Sequence, residues 1–470
     1  MRFSEPLTIA IHLDKTSRTP LHAQIEGQLR EAIRTGALAH GDRVPSTRAL
    51  AVALGVSRSV TLHAYHRLFA EGLLEARSGS GNFVCHEEQR SAGRTGKGNG
   101  DGHPRELDLT PAGPCSASLP VTAWRSSWRT AAHRPPGHDV LPPRGCPELR
   151  EALAVHLRRH RGLRCTADQI FITSGRAHAL DLLAQVGTRP GDRAAVQEPG
   201  PSDARRLLAL RGLHTVPLAV DEDGVLVRGP LPDIRLALVS PAQGHPRSRL
   251  SVPRRRALIA WARSSGLLLV ELEGQAFVQD ANPCAPLATS GEYERTAYVG
   301  SFRDVLSSAL DVGYIISPPE LDGPLTDLLQ LIPSQPPLVA QRALAGLLRE
   351  GHLARHVRRL TAAHAARTRL VRKALLPLRG QVDEVGFDGL NAFVHFRHLP
   401  AGLVADRLRR RGVLVGDGSA HCFSEGRHNS IVIGCARLDE LSLQRGLSTL
   451  VAVVGELRER DGSLDEATSA

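Results

Sequence analysis

The sequence predicts a protein of two parts, a small α+β unit followed by a larger α/β unit that ends, from about Leu338, in an α+β subdomain. Residues 87–106 contain five glycines and one apolar side chain, Ala92, so they are expected to form a flexible linker. Before this linker, apolar residues recur with helical spacing. After it, apolar strands alternate with amphipathic helices, which is typical of a doubly wound sheet. The expected boundaries are therefore 17–86, 87–106 and 107–460.

The first element of the small unit is an amphipathic helix. Leu21, Ile25, Leu29 and Ile33 recur every four residues and mark one buried face.

Two short helices joined by a tight turn follow the first helix. Ser46 is a candidate N-cap, Gly55 is placed to end that helix in the left-handed conformation, and Ser57 is a second candidate N-cap. This spacing predicts a helix-turn-helix. The stretch "LLEARSGSGNFV" then predicts two strands around a Ser-Gly-Ser-Gly turn, which form a wing. The expected buried residues of the two helices are Leu50, Leu54, Val60, Ala64 and Leu68.

The composition favours a polyanionic partner, with nucleic acid as the first candidate. The chain carries 59 Lys and Arg against 48 Asp and Glu, a net charge of +11 and a pI near 9.9. Lysine occurs only at Lys15, Lys97 and Lys373, so 56 of these cations are arginines.

Several other classes of protein are disfavoured by the sequence. The seven cysteines form no C-x-x-C pair and are expected to be reduced, without a zinc site. No signal peptide and no apolar run of membrane-spanning length is present. The expected location is the cytoplasm, with no membrane partner.

The second helix of a helix-turn-helix enters the major groove of DNA by its N-terminus. Arg58 at that end is suited to guanine, and the neighbouring hydroxyls are suited to bases or phosphates. The alternative is that Arg48 and Arg58 are ordinary solvated surface residues. The candidate DNA-binding residues are Arg48, Ser57, Arg58, Ser59, Ser80 and Asn82.

The stretch "GDRVPSTRALAVALGVSRSVTLHAYHRLFAEGLLEARSGSGNFV" resembles the winged-helix domain of GntR-type regulators nearly end to end. The larger unit contains "PPRGCPELREALAVHLRRHRGL", "QIFITSGRAHALDLL", "LLVELEG" and "YVGSFRDVLSSALDVGY", which together resemble class I aminotransferases of fold type I. Joined in this order, the two parts resemble MocR-type regulators. This resemblance implies a homodimer that reads two DNA half-sites.

Pyridoxal phosphate is the cofactor that the aminotransferase resemblance implies. The family's lysine, which forms an imine with the cofactor, falls on Asp304, and a later arginine near the phosphate falls on Asp311. An aspartate cannot form an imine, so covalent binding is not expected here.

At three more positions, this chain differs from the residues that the aminotransferase family has there. The carboxylate that pairs with the pyridinium nitrogen falls on Leu272 and a tyrosine falls on Gly274. The arginine for a substrate carboxylate falls on Val432. Glu271 and Glu273 flank Leu272, but side chains alternate along a strand, so both are expected on the opposite face unless the register slips by one residue.

A remnant of the phosphate site is expected at Ser174, Gly175 and Arg176, which begin a helix directly after a strand. Ser301 and Arg303 could assist. The alternative is an ordinary strand-to-helix turn. We also expect Arg176 or Arg303 to pair with Asp304 or Asp311, which would leave an ion-paired plug in place of a pocket.

The sequence therefore predicts a DNA-binding transcriptional regulator. Its aminotransferase-like domain would serve dimerisation, with effector sensing as an open expectation, and would have a degenerate pyridoxal phosphate site. The first alternative is a pyridoxal phosphate-dependent aminotransferase fused to a winged helix. The second is a DNA-binding dimer that binds no ligand.

Overall fold

The structure is a computed structural model in which the chain forms two compact units, Met1–Gly102 and His103–Ala470. The described residues are 11–14, 17, 19–35, 37–38, 42–70, 73–77, 81–84, 106–111, 113, 119–135, 141–227, 233–241, 250–274, 285–289, 294–423, 429–436 and 438–468.

The first unit is a winged helix-turn-helix, as the sequence predicts. Its core contains Ile25, Leu29 and Ile33, all fully buried. Ser46 Oγ accepts a hydrogen bond from the Ala49 N–H at 3.1 Å, and Gly55 ends its helix with φ +59°. The sheet has the order β1-β3-β2 and is antiparallel. The elements are α1 (Leu21–Arg34), β1 (Arg43–Val44), α2 (Thr47–Leu54), α3 (Arg58–Ala70), β2 (Leu74–Arg77) and β3 (Gly81–Val84).

The second unit contains two sheets. Its strands are β4 (Leu107–Leu109), β5 (Ile170–Thr173), β6 (Arg193–Glu198), β7 (His214–Asp221), β8 (Gly224–Val225), β9 (Ile234–Val239), β10 (Leu268–Leu272), β11 (Thr296–Ser301), β12 (Gly313–Ile316), β13 (Val382–Asp388), β14 (Asn391–Phe396), β15 (Val413–Asp417) and β16 (Ser430–Gly434). The larger sheet has the order β5-β12-β11-β10-β9-β6-β7-β8, and the smaller one has the order β13-β14-β16-β15-β4. In the larger sheet, β12 runs antiparallel to both β5 and β11.

Helices cover both faces of the larger sheet. The helices of this unit are α4 (Val121–His133), α5 (Pro147–Arg161), α6 (Gly175–Gly187), α7 (Ser202–Leu210), α8 (Val252–Ser265), α9 (Asp322–Leu331), α10 (Leu338–Arg349), α11 (His352–Ala374), α12 (Ala401–Arg410) and α13 (Glu440–Thr468). One apolar cluster lies under α5 and α10, and another lies under α6, α7 and α9.

The C-terminal α+β subdomain begins later than the sequence analysis places it. A start near Leu338 was expected, yet Leu344 and Leu348 of α10 pack in the same cluster as Leu149 and Leu153 of α5. The helix therefore belongs to the core of the larger sheet. Residues 107–109 supply the edge strand β4 of the smaller sheet, whereas residues 87–105 of the predicted linker lie outside the described residues.

A buried carboxylate lies at the end of β10. The Glu273 side chain is 1% exposed, and Arg161 Nε at the end of α5 donates to its Oε1 at 3.2 Å. The Tyr298 hydroxyl also donates to Oε1, and the Tyr314 hydroxyl donates to Oε2 at 2.6 Å. Gly300 makes room for this network, because a Cβ there would lie 2.3 Å from the Tyr314 hydroxyl.

Glu271 is a second buried carboxylate, on the same side of β10 as Glu273. Its Oε2 accepts a hydrogen bond from the Ala288 N–H at 3.2 Å. Burial raises the pKa of Glu271 to about 7, although the Ala288 N–H and the charge of Arg161 oppose the shift. The folded protein therefore holds a proton on Glu271 more tightly than the unfolded chain does.

We expect Arg161→Met to destabilise the second unit by roughly 3–5 kcal/mol, because it leaves the Glu273 carboxylate buried without its cation. The measurement is urea unfolding followed by tryptophan fluorescence, since Trp124, Trp128 and Trp261 all lie in this unit. The control is Arg164→Met at an exposed position three residues further on. Equal unfolding midpoints for the two variants would contradict the role of the pair.

Stability should fall as the pH rises from about 4.5 to about 7, because the Glu271 carboxylate then ionises in an apolar environment that favours its protonated form. Glu271→Gln should reduce that fall by up to about 3 kcal/mol. The measurement is the midpoint of urea unfolding at several pH values across this range, with the exposed Glu294→Gln as control. A parallel pH profile for wild type and Glu271→Gln would refute the assignment.

Candidate functional site

Two side chains of α3 hold it against the start of α2. The Thr61 hydroxyl donates to the Thr47 carbonyl at 2.8 Å and contacts the Arg58 carbonyl at 3.0 Å. The Tyr65 hydroxyl is buried and donates to the Pro45 carbonyl at 2.9 Å. These bonds fix the N-terminal end of α3 relative to α2. The sequence analysis did not identify either anchor.

The predicted DNA-binding residues of the two helices are all exposed. Ser57, Arg58 and Ser59 lie at the start of α3, where Ser57 Oγ is 2.8 Å from Ser59 Oγ. Arg48 is exposed in the first turn of α2. This arrangement presents a guanidinium and two hydroxyls at the end of the helix that enters the groove in proteins of this shape.

The wing is paired to a strand that the sequence analysis did not predict. Asn82 of β3 pairs with Val44 of β1 and is half-buried. Ser80 lies outside the described residues. Leu62 and His66, which the sequence analysis did not consider, are exposed one and two turns beyond Arg58 on the same face of α3. Their spacing of four residues from Arg58 was the sequence signal that places them on this face.

The candidate residues of segments 174–176 and 301–311 meet at one edge of the larger sheet, formed by the carboxyl ends of β5 and β11. Strands β5 and β11 run in the same direction, because β12 is antiparallel to both. Gly313, the first residue of β12, pairs with Thr173 at the end of β5 and with Ser301 at the end of β11. The segments 174–176 and 301–311 therefore start from adjacent positions at this edge.

Asp311 packs directly against the first residue of α6. Gly175 has φ +80°, and a Cβ there would lie 2.1 Å from Asp311 Oδ1. The Asp311 carboxylate thus occupies space beside the N-terminus of α6, where the helix dipole favours a negative charge.

The polar groups of Ser174 have partners inside the protein. Its N–H donates to His178 Nδ1 at 3.0 Å, and its hydroxyl donates to the Ser334 carbonyl at 2.6 Å. His178 Nε2 in turn lies 3.0 Å from Ser334 Oγ. The N–H and the hydroxyl of Ser174 are therefore both engaged within the protein.

Arg176 lies between two carboxylates. Its Nη2 is 2.9 Å from Asp203 Oδ2, and its Nη1 is 3.9 Å from Asp304 Oδ2. The expected pairing of Arg176 with Asp304 is confirmed, while the bond to Asp203 was not predicted. Burial alone would raise the pKa of Asp203, but the Arg176 guanidinium more than offsets it, so the pKa is lowered.

The alternation of β10 is also as predicted. Leu272 packs in the cluster under α6, whereas Glu273 contacts Tyr298 and Tyr314, which belong to the cluster under α5. Gly274 follows with φ +58° and is buried. No carboxylate of this strand points to the face of Leu272.

Val432, the last of the candidate positions, lies in the smaller sheet. It pairs with Phe393 on β14, and its Cβ lies 3.3 Å from the Cβ that a side chain at Gly416 would have. Its side chain is buried, with 1% exposure. Val432 therefore offers an apolar contact surface at this position.

The segment between β15 and β16 reaches across to the larger sheet, which the sequence did not predict. The Gly200 N–H donates to the His421 carbonyl at 3.0 Å, and the Phe423 N–H donates to Glu198 Oε1 at 2.7 Å. Arg205 donates to the Cys422 carbonyl at 2.6 Å and lies over the Phe423 ring. These bonds hold the smaller sheet against the carboxyl end of β6.

Lys373, on α11, is the one lysine among the described residues, and it is exposed. Within the same residues, no cluster of three or more His, Cys, Asp or Glu has an arrangement that could hold a metal ion. Nor does any described helix combine the length and apolar content that a bilayer requires.

Comparison with known proteins identifies both parts of the chain. The family model "Bacterial regulatory proteins, gntR family" matches residues 21–84, and "Aminotransferase class I and II" matches residues 113–226. The pyridoxine biosynthesis transcriptional regulator PdxR of Corynebacterium glutamicum is 31% identical over 449 residues, which cover 93% of this chain and 96% of that protein. The probable rhizopine catabolism regulatory protein MocR of Rhizobium meliloti is 28% identical, over 97% of this chain and 99% of that protein.

Solved structures match the larger unit in fold alone. An archaeal alanine:glyoxylate aminotransferase has a TM-score of 0.69 and 22% identity, over 75% of this chain and 91% of that one. The α-aminoadipate aminotransferase LysN of Thermus thermophilus has a TM-score of 0.68 and 20% identity, over 75% and 93%.

A winged helix-turn-helix joined to an aminotransferase fold defines a class of DNA-binding transcriptional regulators. The chain belongs to the MocR subfamily of the GntR regulators, since the PdxR relative spans both units at 31% identity. Its function is transcriptional regulation, as predicted from the sequence.

Proposed function

We propose that this regulator contacts operator DNA through the N-terminal end of α3, and that its aminotransferase-like unit carries no covalent pyridoxal phosphate and no transaminase activity. The observation that carries the second part is the pair of aspartates at the sheet edge. Asp304 is held by Arg176, and Asp311 packs against Gly175.

The DNA-binding part of the proposal rests on the exposed end of α3. Arg58 can donate two hydrogen bonds to guanine O6 and N7, while Ser57 and Ser59 can donate to bases or phosphates. Arg48 and the wing residue Asn82 would contact the backbone. The same role is proposed for Ser80.

The residues at the sheet edge do not fit pyridoxal phosphate. An imine needs an amine, and the carboxyl group at position 304 supplies none. The anion-binding N-terminus of α6 already faces the Asp311 carboxylate, which would repel a phosphate. The Ser174 hydroxyl is also engaged by Ser334.

Three further contacts of the aminotransferase family are missing from the proposed site. Leu272 offers no carboxylate to keep a pyridine nitrogen protonated, and both neighbouring glutamates point to the other face. Val432 cannot grip a substrate carboxylate as an arginine would. Gly274 supplies no phenol. The alternative of an active fused aminotransferase would need substitutes for all of these groups.

We further propose that the aminotransferase-like unit mediates homodimerisation. Leu331 and Ile332 are adjacent and exposed by 81% and 59%, which is apolar surface that a partner subunit could cover. Effector sensing by this unit, and a cytoplasmic location, stay predictions.

Arg58→Ala should weaken binding to an operator obtained by in vitro selection by roughly 1–3 kcal/mol and should relax the preference for one base pair. Fluorescence anisotropy against the selected duplex and its single-base variants measures both effects. The control is Arg67→Ala, at the other end of α3, where sequence preference should be retained. An unchanged isotherm and base preference for Arg58→Ala would exclude this contact.

The purified protein should acquire no imine absorption band with pyridoxal phosphate, and borohydride should fix no cofactor on it, because no lysine lies at the sheet edge in the part of the chain described. Absorption spectra and intact-mass measurement test this expectation. A stoichiometric adduct, wherever it maps, would refute the proposal.

Asp304→Lys serves as the matched variant for that experiment. It restores an amine but leaves Leu272, Val432 and Asp311 unchanged. We expect no conversion of amino acids in single-turnover assays, because contacts that act together leave little for one residue to recover. Clear turnover would mean that the proposed site assignment is wrong.

A further inference from the structure

Most of the excess positive charge lies outside the winged helix-turn-helix. Residues 1–102 contain 13 Lys and Arg and 10 Asp and Glu, so residues 103–470 carry +8 of the net +11. An aminotransferase fold has no structural need for such an excess, because net charge destabilises a compact state through self-repulsion.

The excess is concentrated on two helices. Residues 351–382, which contain α11, hold eight Lys and Arg and no Asp or Glu. Residues 152–167, which contain the second half of α5, hold four arginines and no acid. An acid-free run of this kind leaves its helix with side chains of one charge sign only.

The end of α5 and the first turns of α11 pack against one apolar cluster. Leu157 of α5 packs in the same apolar cluster as Leu353 and Val357 of α11. Burial lowers the pKa of His160 on α5, and the charges of Arg358 on α11 and of Arg159 lower it further. The exposed residues at the end of α5 and in the first two turns of α11 therefore lie on the same part of the surface.

Four arginines define this surface, which we call the basic face: Arg158, Arg159, Arg358 and Arg359. All four are exposed, and none forms an ion pair with a carboxylate within the described residues. By contrast, the exposed Arg397 and Arg411 of the same unit each pair with a nearby acid. The basic face is thus charged and uncompensated.

We propose that the basic face is a second DNA-binding surface, which contacts the phosphate backbone of the duplex without reading its sequence. Arginine suits this role because its guanidinium bonds phosphate oxygens in a planar, bidentate geometry. The partner is a polyanion by charge complementarity, and the regulator is already brought to duplex DNA by its winged helix-turn-helix.

The test uses the full-length protein and a random-sequence duplex, so that base readout by α3 contributes little. The variant replaces Arg158, Arg159, Arg358 and Arg359 with serine. We expect affinity to fall at least about tenfold at about 50 mM salt, and the slope of log K against log salt to decrease by roughly 3 to 4. Fluorescence anisotropy across a salt titration measures both quantities.

The matched control removes the same charge from other exposed positions of this unit, by serine at Arg193, Arg206, Arg235 and Arg256. It should lower the salt slope by less than one. Equal losses in the two variants would mean that only net charge matters, and would overturn the proposal. Unchanged binding by the basic-face variant would also overturn it and would favour an acidic protein as the partner.

A measurement on the wild-type protein covers the case in which the variant does not fold. Phenylglyoxal modifies accessible arginines, and mass spectrometry maps the sites. Random-sequence duplex should protect Arg358 and Arg359 at least about fivefold more than Arg256, since a phosphate-bound guanidinium is shielded from the reagent. Equal modification with and without DNA would refute the contact.

Discussion

The buried carboxylate of Glu273 determines how the centre of the larger unit is arranged. A carboxylate with 1% exposure is tolerated only with a cation and hydrogen-bond donors around it. Arg161 comes from the end of α5, Tyr298 from β11 and Tyr314 from β12, so one group joins a helix to three neighbouring strands. Because side chains alternate along β10, the same network fixes Leu272 on the opposite face, where β10 itself supplies no acid.

The charged groups at the sheet edge are arranged in accordance with the dipole of α6. The N-terminus of α6 attracts a negative charge, and in this protein the Asp311 carboxylate lies there against Gly175. Arg176 is likewise engaged by Asp203 and Asp304. Groups that would hold an anionic ligand are thus engaged with carboxylates of the chain itself.

Local signals made much of the fold predictable, and long-range pairing explains most of what was missed. The caps Ser46 and Gly55 act within one helix, so sequence reveals them. Strand alternation likewise predicted the face of Leu272. By contrast, the pairing of Arg161 with Glu273 and of Phe423 with Glu198 joins residues more than one hundred positions apart, and no local spacing encodes it. The assignment of α10 to the subdomain failed for the same reason, because an amphipathic pattern shows that a face is buried but not against what.

The positions where aminotransferase chemistry would occur lie beside the cores of the larger unit. Val305 and Leu310, next to Asp304 and Asp311, pack in the cluster under α5 and α10, and Leu272 packs in the cluster under α6. Apolar side chains of these segments hold the fold, so their polar positions can change without loss of the core. The outward faces of α5 and α11 are equally independent of the cores, since Arg158 and Arg358 point away from the leucines beside them. A surface with no structural role is free to change its charge, which is how a fold known from enzymes can come to contact DNA over more than one surface.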